Sequence, residues 1–175
     1  VTIHRFDACR TALVLVDLMT RLVAAETAPR SAARILETCL QTAHSVRNRG
    51  GLVVFVRSEH PGVDTQPPGG ELAPGCEPGP GDLEIVKSTW GASHGTRLDE
   101  ELRGRDVTTV ALGGIATTFG VESTGRAADE HGYATAFLTD AMSGLHREAH
   151  DFSTSYVFVR VGTVCRSAEF LDSLT

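Results

Sequence analysis

The chain has 175 residues, 41% of them hydrophobic and 22% charged, with a formal net charge of −6. That length suits one domain over residues 1–175, with a core able to bury roughly 70% of the unfolded chain's surface, and the acidic balance gives no electrostatic ground for a nucleic acid partner. No apolar run approaches the roughly 20 residues of a membrane span, and Val1-Thr2-Ile3-His4-Arg5 lacks the layout of a signal peptide, so a cytoplasmic protein without a membrane partner is expected.

In chain order, residues 11–16 (TALVLV) form a nearly continuous apolar run ending at Asp17, the signature of a parallel strand buried on both faces. Residues 29–49 place Ala32, Ile35, Leu36, Cys39, Leu40, Ala43 and Val46 at three- and four-residue spacing, which predicts a helix opened near Pro29 and closed by Gly50-Gly51. Further strands are predicted at 52–57, 107–112 and 134–138, and further helices at 96–103, 119–131 and 146–155. Strands separated by helices imply right-handed crossovers. The expected fold is a three-layer α/β/α domain with a mostly parallel sheet.

Between residues 61 and 82 the pattern lapses into a stretch holding six of the seven prolines and six glycines. It reads either as a surface insertion without a role or as a loop over a pocket mouth. Four cysteines lie scattered without C-x-x-C spacing, against a zinc knuckle or a redox pair. Cys39 and Cys165 read as buried hydrophobes, and Cys76, in the Gly/Pro loop, as exposed.

Open α/β sheets place ligands at the carboxyl ends of their strands. Asp17 ends the first strand, Lys87 ends the short run Leu83-Glu84-Ile85-Val86, and Gly120 opens a helix after the strand at 107–112. An acid at the end of a buried strand is poorly solvated, so it calls for a partner or a raised pKa, and Lys87 is the candidate partner. Taken singly, each position also has an ordinary reading as a turn or cap residue.

Three segments carry a resemblance to a known family: "ALVLVDLM", "VKSTWGASHGTRLDEELRGR" and "VALGGIATTFGVESTGRAADEHGYATAFLTDAMSG". In this order they resemble the isochorismatase-like hydrolase superfamily, also called cysteine hydrolases, over nearly the whole chain. The resemblance implies a catalytic triad of aspartate, lysine and cysteine. The first two map onto Asp17 and Lys87, but the nucleophile position is Gly120, and neither Phe119 nor Val121 can replace a thiol. The family's isochorismatases also carry glycine there and split a vinyl ether without a covalent intermediate. By that precedent Asp17 is a general acid kept protonated by burial, water is the attacking group, and Lys87 contacts a substrate carboxylate. The alternative is a pseudoenzyme that binds a ligand or serves assembly.

Substrate contacts are expected from Trp90, Ala116, Thr117 and Phe119, with Trp90 and Phe119 equally suited to an interface between subunits; the resemblance also implies a cis peptide at Ile115-Ala116 and association into a homo-oligomer, a dimer or higher. Glycines 113, 114 and 120 are expected to let backbone N–H groups of the first helical turn approach a ligand. The chain departs from the isochorismatases in its "GIATTFG" turn and in Met19, where many relatives carry glutamine, so the small-molecule substrate is left unnamed. No cofactor is implied. Nicotinamidases hold a metal through an Asp-x-His pair, but here Ser58 replaces the aspartate, leaving His60 and a distant Asp64, a poor ligand set. The segment from Gly114 to Gly120 matches neither a P-loop nor a dinucleotide fingerprint.

Overall fold

A computed structural model describes residues 5–175; Val1 to His4, on which the reading of the N-terminus rests, lie outside the described residues. Strand β1 (Thr11–Val16) is followed by a single helical turn α1 (Thr20–Val23), helix α2 (Ala32–Arg47), β2 (Leu52–Ser58), β3 (Leu83–Lys87) and α3 (Leu98–Arg103). Then come β4 (Thr109–Ile115), a π-helical turn (Thr117–Val121), α4 (Glu122–Glu130) and β5 (Ala134–Ser143). The chain ends with α5 (Arg147–Phe152), a second π turn (Ser153–Val157), α6 (Phe158–Val161), β6 (Thr163–Cys165) and α7 (Ser167–Ser173).

The six strands form one sheet in the order β3-β2-β1-β4-β5-β6, with every neighbouring pair parallel. Every residue of β1 is buried, because alternate side chains enter opposite layers. Leu13 and Leu15 join a core with Ile35, Cys39, Ala43 and Val46 of α2 and Phe170 of α7. Ala12, Val14 and Val16 join another with Leu98 and Leu102 of α3, Ala128 of α4 and Phe158 of α6. Both apolar faces are thus covered by helices, as an all-parallel sheet requires. No helix among the described residues is long and apolar enough to cross a membrane.

Several boundaries differ from the sequence reading. Helix α2 starts at Ala32, with Ser31 Oγ accepting from the Arg34 N–H, and Pro29 lies outside it after a cis Ala28–Pro29 bond. The helix expected at 96–103 starts at Leu98, because the Thr96 hydroxyl accepts from the Leu98 N–H and donates to the Ala92 carbonyl. Strand β4 continues through its glycines to Ile115, and β5 runs to Ser143 across a register shift opposite Leu112 and Gly114. The helix expected at 119–131 is a π turn followed by α4, and the one at 146–155 continues through a π turn to Val161. Three valines in 157–161, residues with weak helix preference, mask that continuation.

The Gly/Pro stretch is stitched to the body rather than lying loose. Met19 and Leu72 form an antiparallel bridge, the Ala73 N–H donates to the Leu18 carbonyl at 2.8 Å, and the Arg21 N–H donates to the Gly69 carbonyl at 3.0 Å. Cys76, expected at the surface, is fully buried against this seam, and burial pushes its thiol up to about 12. Cys39 and Cys165 are buried as expected, and all four thiols are free.

Candidate active site

Strand order runs β1, β2, β3 in one direction and then returns to place β4 on the other side of β1, so a crevice opens at the carboxyl ends of β1 and β4. Asp17 stands directly after β1 with a positive φ of 53°, a region aspartate tolerates better than most residues, and its N–H donates to the Val56 carbonyl of β2. Lys87 is the last residue of β3. Its inward place in an alternating pattern leaves it 3% exposed. Its Nζ lies 2.9 Å from Asp17 Oδ2 and donates to the Thr89 carbonyl at 3.2 Å.

The Asp17 carboxyl has a pKa above the ordinary carboxylate range. Burial is the largest cause, and the opposing charge of Lys87 only partly offsets it. Its Oδ1 atom is buried with no hydrogen-bond partner.

Gly120 faces this pair from the π turn. A Cβ built there would lie 2.8 Å from Val16 Cγ1 and 3.0 Å from Asp17 Oδ2, so the carboxyl and the valine close over the place a nucleophilic side chain would leave the backbone. Gly114 has a different reason: at φ 123° its Cβ would lie 2.0 Å from the Val16 carbonyl oxygen. The close approach at 114 is to β1, and at 113 to the Ala141 carbonyl of β5, not to a ligand as the sequence reading had it.

Asp17, Lys87 and Gly120 share a cavity of 760 Å³ with Trp90, Ala116 and Phe119, within the range of small-molecule sites. Trp90 and Phe119 stack at its mouth with ring centroids 5.1 Å apart. The Ile115–Ala116 peptide bond is cis, as the resemblance implied. Thr117 is the exception among the expected contacts. It is fully buried and turned away from the cavity, its Oγ1 hydrogen-bonded to His150 Nδ1 at 2.8 Å. The expected cradle of N–H groups is also smaller, because the Phe119 and Val121 N–H groups both return to the Ala116 carbonyl.

Sequence reasoning missed Arg21 and His150. Arg21 lines the cavity from a single turn of helix that carries no motif. His150 reaches Thr117 from an element 33 residues away. His60 lines the rim, but among the described residues no three His, Cys, Asp or Glu side chains group as a metal site.

An all-parallel α/β domain with an acid, an amine and a tight turn converging at its switch point belongs to the class of α/β proteins with a strand-end ligand site. More particularly, the chain belongs to the isochorismatase family of hydrolases: the model of the isochorismatase domain matches residues 11–169. It is 34% identical to YwoC of Bacillus subtilis, an uncharacterized isochorismatase family protein, with 96% of each chain covered. A streptothricin hydrolase of Streptomyces noursei is 32% identical, covering 74% of this chain and 48% of that one. Among solved structures, an isochorismatase family protein of Burkholderia thailandensis superposes with a TM-score of 0.89 at 31% identity, covering 99% of both chains. N-carbamoylsarcosine amidase of Thermoplasma acidophilum superposes at 0.77 and 26% identity, covering 90% of this chain and 96% of that one.

Proposed function

We propose that the chain hydrolyses a small molecule without a covalent enzyme intermediate, with Asp17 as general acid and water as the attacking group. The observation that carries this reading is the buried Asp17 carboxyl, whose pKa is raised although Lys87 Nζ is 2.9 Å away. In this reading Asp17 carries a proton, the form that its burial favours, until a substrate takes it; Lys87 then stabilises the carboxylate left behind. That stabilisation is absent from the neutral ground state and grows with proton transfer, so it lowers the barrier.

Cleavage of a vinyl ether is the leading chemistry. Protonated Asp17 gives its proton to the terminal alkene carbon, and the C=C electron pair forms the new C–H bond. The resulting oxocarbenium ion takes the oxygen of a water, and the surplus proton of that water returns to Asp17. The hemiketal then breaks its C–O bond as its hydroxyl proton passes to the departing oxygen, releasing a ketone and an alcohol. No atom at position 120 takes part, which suits a glycine crowded by Val16 and Asp17.

The competing reading is a pseudoenzyme. Retention of a buried acid beside a buried amine speaks against it, because a site without chemistry has no need to desolvate both. Screening vinyl ethers, amides and carbamates against the wild type and Asp17→Asn tests the proposal. Turnover of a hit substrate that survives the substitution removes Asp17 as the acid. Self-association, also proposed, is checked by sedimentation; a monomer at micromolar concentration removes that part.

A further inference from the structure

The charges lining the cavity are Asp17, Arg21, Glu59 and Lys87. Lys87 is committed to Asp17 at 2.9 Å, and Glu59 to Arg57 at 2.5 Å. Arg21 forms no ion pair with any described residue, and its side chain's hydrogen bond is a long one, Nη2 to Ser58 Oγ at 3.4 Å. A half-buried guanidinium thus stands in the wall of a 760 Å³ cavity without an ion-pair partner among the described residues.

The Gly/Pro stretch holds it there. The Arg21 N–H donates to the Gly69 carbonyl, and Gly69, at φ 74°, passes so close that a Cβ on it would lie 3.0 Å from both Arg21 Cβ and Arg21 N. A Cβ on Gly70 would lie 3.6 Å from Arg21 Nη1. Two consecutive glycines therefore make the channel along which the arginine runs. The same cavity is lined by the stacked Trp90 and Phe119 and by Leu22, Leu145 and Pro61, which supply an apolar surface.

We infer that Arg21 is the anion anchor of this site, selecting small monoanionic substrates whose carboxylate meets the guanidinium while a flat apolar body lies against Trp90 and Phe119. Arginine suits this role because its planar fork binds a carboxylate through two parallel charge-assisted hydrogen bonds. The inference rests on the proposed function only in taking this cavity as the substrate site; it does not depend on the acid step.

Trp90 is the only tryptophan of the chain, so its fluorescence reports binding without turnover. The experiment titrates benzoate and its neutral counterpart benzamide into wild type, Arg21→Gln, Arg21→Lys and Asp17→Asn, with circular dichroism confirming that each variant is folded. Benzoate is expected to change the fluorescence saturably and to bind at least about 10-fold more tightly than benzamide. Arg21→Gln should remove the preference, and Arg21→Lys, which keeps the charge but loses the fork, should retain part of it. Asp17→Asn should keep the preference for benzoate, which separates this result from any failure of the acid mechanism. Equal binding of the two probes by wild type, a preference unchanged in Arg21→Gln, or no saturable change with either probe would overturn the inference.

Discussion

Lys87 Nζ lies 2.9 Å from one oxygen of Asp17, Oδ2, while the other, Oδ1, is buried with no hydrogen-bond partner. An unpartnered buried polar atom costs about 1–3 kcal/mol, and such atoms persist where something else is meant to meet them. In the proposed reaction the acid has one oxygen held by the amine that will stabilise its anion and another uncommitted for proton transfer.

Activity should therefore have an alkaline limb. The raised pKa means that the active, protonated form of Asp17 is present at low pH and is lost as pH rises through that pKa. Lys87→Met removes the charge favouring ionisation, so the limb should move to higher pH while kcat falls. Asp17→Asn should lower kcat by about 10²–10⁴-fold. A pH–rate profile of Lys87→Met identical to that of wild type would contradict this.

Gly120→Ala should destabilise the protein. Replacing a helical glycine by alanine ordinarily stabilises by roughly 0.5–1 kcal/mol, but the new methyl would sit 2.8 Å from Val16 Cγ1. Val16 is fully buried and stiff about χ1, so it cannot yield cheaply. Overpacking of this kind costs about 1–3 kcal/mol, which wins. Urea denaturation of the two proteins measures the sign.

Gly114→Ala should be far worse. Its methyl would lie 2.0 Å from the Val16 carbonyl oxygen, forcing β1 and β4 apart, and its φ of 123° is one that alanine rarely adopts. A loss of more than about 3 kcal/mol is expected, enough to remove most of the yield of folded protein.

His150 should make stability depend on pH. Burial is the main cause lowering its pKa; Asp151 opposes it, and Arg30 and Arg147 reinforce it. A histidine depressed in the folded state contributes stability above its unfolded pKa of about 6.5, and that contribution is lost as pH falls from there through the folded pKa. Within that window wild type should lose up to about 1.4 kcal/mol per pH unit relative to His150→Gln. Parallel stability curves for the two proteins would show that His150 does not titrate as described.

What the sequence disclosed was the framework at strand ends. Asp17 and Lys87 could be placed because each follows an apolar run whose burial is set by composition, and Gly120 because a β-branched run leads into a helical pattern. Arg21 could not be found this way, since nothing local distinguishes an arginine aimed into a cavity from one on a solvated turn. The direction of Thr117 was equally hidden, because it is decided by His150 on another helix. Cys76 was misplaced for a related reason: a stretch rich in proline and glycine reads as surface, yet tertiary hydrogen bonds from Leu18 to Arg21 pull it against the body. The short α7 carries too few residues for periodicity to declare it.

Strand β1 lies between β2 and β4, and that order has a bearing on synthesis. A nascent chain that has emerged as far as Arg103 already holds β1, β2 and β3, but not the strand that covers the far side of β1. Until β4 arrives, the most apolar strand of the sheet presents an open row of N–H and C=O groups, and open edges invite pairing with other chains. In the interval between emergence of β3 and of β4 that edge of β1 is open to such pairing.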